Sequence, residues 1–271
     1  MTFRTLDEAG ELSGQRVLVR VDFNVPMDDG RVTDDTRLRA ALPTLRDLIA
    51  RRAKVVLLSH FGRPEGKPTP SMSLRPIGES LSALLGCPVA FAADCIGPGA
   101  KAAVDSLGLG GVALLENLRF QPGEEANDPD FARALAANGD LYVNDAFSAA
   151  HRAHASTEAI AHLLPAFAGL SMQRELEQLE RVLGNPRRPV MGIVGGAKVS
   201  SKLDLLKNLV TRLDRLAVGG GLANTFLFAR GWSVGARRPD PARSRRPTPR
   251  WGSEADCSRL RLGPRDLPHA R

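Results

Sequence analysis

Two sets of residues in this 271-residue chain have the types and spacing to handle phosphate. The first is scattered through the first 152 residues: Asp22 and Asn24, Arg37, His60 with Arg63, Arg119, and Arg152. Most of them follow directly on an apolar run. Arginine donates hydrogen bonds in a rigid fork that matches a planar or tetrahedral oxyanion. Four arginines and a histidine brought together make a pocket for a small, multiply anionic molecule. Singly, each is an ordinary solvated loop charge, so their convergence carries the reading.

The second set lies in one stretch, Val190-Met-Gly-Ile-Val-Gly-Gly-Ala-Lys198-Val-Ser-Ser-Lys202. An apolar run enters a glycine turn, and two lysines open an amphipathic helix. Gly195 and Gly196 allow a sharp turn and close approach of the backbone to a ligand. Ser200 or Ser201 caps the helix. Free N–H groups at a helix start favour an anion, and Lys198 and Lys202 add positive charge. The spacing is not that of a Walker A loop. Such turns also occur in α/β proteins without a ligand. A second glycine turn, Gly219-Gly220-Gly221 beside Asn224, either admits part of a nucleotide or serves only its own turn.

These residues need elements to position them. Apolar runs predict buried strands at residues 15–24, 54–60, 89–92, 112–117 and 141–145. Helices are predicted between them: from a cap at Asp34 or Asp35 to about Arg52, kinked at Pro43, then at 74–85 and 128–138. Met27–Gly30 reads as a turn and residues 65–70 as a mobile loop. Strands alternating with helices predict an α/β fold with a doubly wound parallel sheet, Rossmann-like, whose ligands bind beyond the carboxyl ends of the strands. An amphipathic helix over 170–183, stopped by Gly184-Asn185-Pro186, reads as a connector to a second, incomplete α/β domain. His151, His154 and His162 read as surface or capping residues, not metal ligands.

Net charge is +7, but residues 237–271 hold ten Arg and no Lys against four acidic residues, which leaves the first 236 residues close to neutral. That Arg- and Pro-rich tail has no apolar periodicity and is predicted to be disordered. Electrostatic binding of nucleic acid by the tail is a weak alternative, because Trp251 is its only stacking residue. Three widely spaced cysteines, Cys87, Cys95 and Cys257, argue against a disulfide framework and a zinc site and fit a cytoplasmic location. No apolar run reaches the length of a membrane span.

The chain resembles the phosphoglycerate kinase family over residues 1–236. The motifs are Arg20-Val-Asp-Phe-Asn-Val-Pro26, Ser59-His-Phe-Gly-Arg-Pro64, Glu116-Asn-Leu-Arg-Phe120, Asn144-Asp-Ala-Phe-Ser-Ala-Ala-His-Arg152, Gly195-Gly-Ala-Lys-Val-Ser-Ser-Lys202 and Gly219-Gly-Gly-Leu-Ala-Asn-Thr-Phe226. The resemblance implies a glycolytic kinase, expected as a monomer. Residues 1–168 would bind 3-phosphoglycerate or 1,3-bisphosphoglycerate, 169–185 would form an interdomain helix, and 186–236 a truncated nucleotide domain. It places Asp22, Phe23, Asn24, Arg37 and His60 at substrate positions, with Phe61, Gly62, Arg63, Arg119 and Arg152. Lys198, Lys202 and Gly219 to Gly221 fall at the positions for ADP or ATP, which carries Mg2+. Arg37 and Lys198 are the expected catalytic residues. Domain closure about the helix would bring the ligands together. After residue 236 the family pattern stops, as a shifted reading frame would make it, which leaves a non-catalytic phosphoacid-binding protein as the alternative. A half-built sheet exposes apolar faces. Limited proteolysis is therefore expected to leave residues 1–168 intact and to cut within 186–236. A resistant fragment extending past about residue 230 would contradict this.

Overall fold

The computed structural model describes residues 3–184, 186–196 and 203–234, and the backbone of 260–262. The chain divides into two units, residues 1–177 and 178–271. The first contains β1 (Arg16–Arg20), β2 (Met27–Asp28), β3 (Arg31–Val32), α1 (Thr36–Ala50), β4 (Lys54–Leu58), α2 (Arg75–Leu85) and β5 (Val89–Ala92). It continues with α3 (Gly97–Asp105), β6 (Val112–Leu115), α4 (Pro122–Glu125), α5 (Pro129–Ala136), β7 (Leu141–Asn144) and β8 (Ala166–Ala168), and α6 (Leu170–Leu183) begins in it.

Six strands form one sheet in the order β5-β6-β4-β1-β7-β8, all neighbours parallel. The continuous apolar runs have a direct cause. Val17 and Val19 of β1, with Val55 and Leu57 of β4, enter a core on one face with Leu38, Leu45 and Leu48 of α1. The intervening Leu18, Val56 and Leu58 enter a core on the other face with Val104 of α3 and Phe131 and Leu135 of α5. With both faces covered by helices, every strand position must be apolar. The doubly wound sheet expected from the sequence is present.

Differences from the expectations are local. The Met27–Gly30 turn sits in the short antiparallel hairpin of β2 and β3. Helix α3 and strand β8 lie where no element is expected. Pro43 stays inside an uninterrupted α1, whose start is held by Asp34 Oδ1 accepting from the Thr36 N–H at 2.8 Å. The carboxylate of Asp35 instead pairs with Arg39.

The second unit contains β9 (Met191–Gly195), α7 (Leu203–Arg212), β10 (Arg215–Gly219), α8 (Gly220–Ala229) and β11 (Leu260–Leu262). The strands form a parallel sheet, β11-β10-β9, over a small core of Leu206, Leu213, Leu216, Val218 and Leu222. Within the tail, the backbone of 260–262 pairs in parallel register with Leu216 to Val218; the rest of residues 237–271 lies outside the described residues. The open apolar face is present, with Ile193 79% exposed and Met191 54%.

Candidate functional site

In a parallel sheet, ligands gather where neighbouring strands send their connections to opposite sides. Here β1 leads to its neighbour β4 on one side, and the adjacent β7 leads to β8 on the other. The expected residues lie at this carboxyl edge. Asp22 to Asn24 follow β1, His60 to Arg63 follow β4, Arg119 follows β6, and Arg152 follows β7. Arg37 is the second residue of α1.

Hydrogen bonds join them. The Asp22 carboxylate accepts from Arg37, from the Ser148 hydroxyl and from the Asn24 N–H. Burial pushes the Asp22 carboxyl up, but the Ser148 hydroxyl and the Asn24 amide, with His60 and the Arg37 guanidinium adding to them, outweigh it and hold the group below its ordinary value. Asn24 Oδ1 accepts from the Gly62 N–H at 3.0 Å, and the Gly62 carbonyl accepts from Arg119 Nη1 at 2.7 Å. Gly62 has a φ of 61°, the left-handed region that glycine tolerates. Arg119 is only 5% exposed, with Nε 3.1 Å from Glu125. Burial lowers its guanidinium value, with Arg152 and Arg20 adding to the effect. Phe23 is buried, and its N–H donates to Ser59 Oγ. Arg63 is exposed in the loop after β4 and has no hydrogen-bond partner among the described residues.

His60 is buried, and its Nδ1 lies 3.0 Å from Arg20 Nη2. Arginine has only donors, so Nδ1 accepts and the ring proton sits on Nε2. Burial, then the charges of Arg20 and Arg119, push the imidazole down to about 3, against the pull of Asp22. Neutral His60 is thus a donor through Nε2–H.

Several contributors are absent from the expected set. Arg20, 1% exposed, also donates to Ser156 Oγ at 2.9 Å and to the Val21 carbonyl at 2.5 Å. Ser156 donates to the fully buried Glu124 at 2.6 Å. Asn117, 0% exposed, clamps the loop at Phe61: Oδ1 accepts from the Phe61 and Arg119 N–H groups, and Nδ2 donates to the Phe61 and Met72 carbonyls. Arg20 and Asn117 stand inside the motifs Arg20–Pro26 and Glu116–Phe120, so that signal was available. Nothing local to Ser156 or Glu124 gives theirs. Of the three histidines, His154 approaches Glu124 at 3.7 Å and His162 pairs with Glu158. No cluster of three His, Cys, Asp or Glu able to hold a metal exists among the described residues.

In the second unit, Gly195 at the end of β9 is in register with Gly219 at the end of β10. The two glycine turns therefore lie side by side, and the Leu222 N–H donates to the Gly196 carbonyl at 2.8 Å. Gly220, with a φ of 64°, starts α8. Lys198, Lys202, Ser200 and Ser201 lie outside the described residues.

The profile of the family "Phosphoglycerate kinase" matches residues 6–245. A phosphoglycerate kinase of Caulobacter vibrioides is 69% identical over 235 residues, 87% of this chain and 59% of that relative. One of Methylorubrum extorquens is 63% identical over 233 residues, 86% of this chain and 58% of its own. The solved phosphoglycerate kinase of Coxiella burnetii superposes with a TM-score of 0.77 at 41% identity, covering 87% of this chain and 59% of that one. That of Pyrococcus horikoshii OT3 gives 0.77 at 35%, covering 86% and 59%. The chain spans about three fifths of the length of the relatives it matches.

The unfolded imidazole of a histidine titrates near 6.5 and that of folded His60 at about 3. The folded chain therefore binds fewer protons in that window, and its stability falls as pH drops through it. The His60 ring carbon resonances are expected to stay constant from pH 8 to 5. A titration midpoint near 6.5 would refute the buried neutral assignment.

Proposed function

The chain belongs to the phosphoglycerate kinase family, and on that premise we propose that it acts in reversible phosphoryl transfer between 1,3-bisphosphoglycerate and ADP, giving 3-phosphoglycerate and ATP. The observation that carries the reading is the carboxyl edge of the first sheet. There Asp22, Asn24, His60 and Arg119 are joined to one another or to Arg37, Arg20 and Gly62 by direct hydrogen bonds. Arg152 is close enough to lower the values of both His60 and Arg119. Such a cationic edge suits a substrate carrying a carboxylate and a phosphate.

Each part has a role in the proposal. Arg119, Arg152 and Arg63 supply positive potential for the substrate's phosphate. His60 Nε2–H donates a hydrogen bond without adding charge. Asp22 orients Arg37, whose side chain is 47% exposed and so reaches a ligand. In the reaction the bond between the phosphoryl phosphorus and the acyl oxygen breaks as a bond to the terminal ADP oxygen forms, and the carboxylate leaves. No covalent enzyme intermediate is needed; positioning and neutralisation of charge on the transferring group suffice. Arg37 and Lys198 are assigned to that charge. Lys198, Lys202 and the glycines 219 to 221 are assigned to the nucleotide.

Magnesium enters only with the nucleotide. The donors of the described glycine turns are backbone N–H groups, which suit phosphate oxygens and not a cation. The cation itself prefers oxygen ligands, largely water and substrate phosphates. When bound it would neutralise phosphate charge, and no step here is routed through it. No helix among the described residues is long and apolar enough to cross a membrane. Cytoplasmic location, glycolytic role and monomeric state remain part of the proposal. The non-catalytic alternative is not favoured, since relatives at 69% identity bear the kinase name.

Arg37 makes its side-chain bond at the surface, so removing it leaves the core untouched. Arg37→Ala is expected to lower turnover in a coupled ATP assay by about 10²- to 10³-fold, the usual loss for one charge-stabilising donor. The thermal midpoint should stay within about 2 °C, as for surface changes of under 0.5 kcal/mol. Unchanged turnover would remove Arg37 from the chemistry.

A further inference from the structure

The start of α6 is held by two side chains from distant parts of the first unit. Thr44, buried in α1, accepts through Oγ1 from the Leu170 N–H at 2.9 Å. Asp145, directly after β7, accepts through Oδ1 from the Ser171 and Met172 N–H groups at 2.9 and 3.1 Å. These are the orphan donors that any helix start must satisfy. Asp145 is anchored in turn, because its N–H donates to the Arg20 carbonyl at 2.9 Å. Gly169 completes the fit: a Cβ there would come within 2.4 Å of Asp145 Oδ1.

The second carboxyl oxygen is treated differently. Oδ2 is buried and has no hydrogen-bond partner among the described residues, and the whole residue is 7% exposed. The groups facing the carboxyl are neutral. From α1 it meets the Thr44 hydroxyl, from α6 the two amides, and from the turn after β8 the Gly169 backbone. No charged side chain is among the groups that set its ionisation. Asp22, which shares this edge of the sheet, differs in having Arg37 as a partner.

We propose that Asp145 is a proton-controlled latch on the start of α6, closed while the carboxyl keeps its proton and eased when ionisation puts an unpaired charge on the buried Oδ2. A neutral carboxyl keeps Oδ1 as acceptor for both amides and places the proton on Oδ2. An ionised one gains by opening the first helical turn to water. The direction of titration agrees. Burial pushes the carboxyl up to about 6, against the Thr44 hydroxyl and the two amides, which favour its charge. A group raised in the closed state contributes stability that is lost as pH rises through about 6. The same residue begins the loop of residues 146–152 that carries Ser148 and Arg152, so the latch and the crevice share a root. The inference does not depend on the substrate.

The test is amide NMR on the full chain from pH 5 to 7.5. The Ser171 and Met172 amide resonances are expected to titrate together with a midpoint near 6. Their hydrogen exchange, corrected for intrinsic rate, should lose about tenfold protection over that range, given an open-state carboxyl near 3.9. The internal control is Asp140, whose carboxylate accepts from the Arg16 N–H at 2.8 Å and is held below its ordinary value by the Arg16 side chain. The Arg16 amide should not change in this range. Asp145→Asn, if it folds, should abolish the pH dependence, and Thr44→Val should keep it. Constant Ser171 and Met172 resonances, a midpoint near 4, or pH-independent protection would each overturn the latch.

Discussion

One buried cation conditions the rest of the first unit. The Arg20 guanidinium is 1% exposed at the end of the central strand β1. An ion taken out of water must be surrounded by acceptors and counter-charge, or the fold pays several kcal/mol. Its acceptors are Ser156 Oγ, the Val21 carbonyl and His60 Nδ1. Its counter-charge is Glu124, held through Ser156. Tyr142 closes the network by donating to the Ser156 carbonyl at 2.9 Å. Satisfying that one charge ties β1, β7, the α4 turn, the loop around Ser156 and the segment after β4 into one edge. It also decides which His60 tautomer is present and keeps its ring neutral.

The same constraint separates two carboxylates that follow neighbouring strands. Asp22, after β1, meets Arg37, a hydroxyl and an amide, and stays below its ordinary value despite burial. Asp145, after β7, meets only neutral groups and rises to about 6. What differs is the balance against burial: at Asp22 the Ser148 hydroxyl and the Asn24 amide, with His60 and Arg37 adding to them, outweigh it, whereas at Asp145 the Thr44 hydroxyl and two amides do not. One edge of one sheet thus has two electrostatic regimes.

Much of this was legible in the sequence, for identifiable reasons. β1 and β4 were readable because both faces of the sheet are covered, which forces unbroken apolar runs such as Val17-Leu18-Val19 and Val55-Val56-Leu57-Leu58. The crevice was readable because its members follow strand ends, where a parallel sheet gathers them. Strand β8 was not, since Ala166 to Ala168 is too short for any periodicity. Nor was α3, whose Gly97-Pro98-Gly99 start reads as a turn. Ser156 and Glu124 were invisible because their roles come from burial beside Arg20, a contact spanning 136 residues in the case of Ser156. In the second unit the adjacent glycine turns follow from β9 and β10 pairing in register, which local sequence does not reveal.

The carboxyl edge of the first sheet is proposed to receive a small phosphoacid, and an amide chemical-shift map of the full chain titrated with 3-phosphoglycerate tests this. Saturable changes are expected to concentrate at Asn24, Gly62, Arg119 and Arg152, beyond the ends of β1, β4, β6 and β7. No change at saturating ligand would contradict it. So would changes confined to the opposite edge, at Gln15, Gly111 and Gly139 before the same strands.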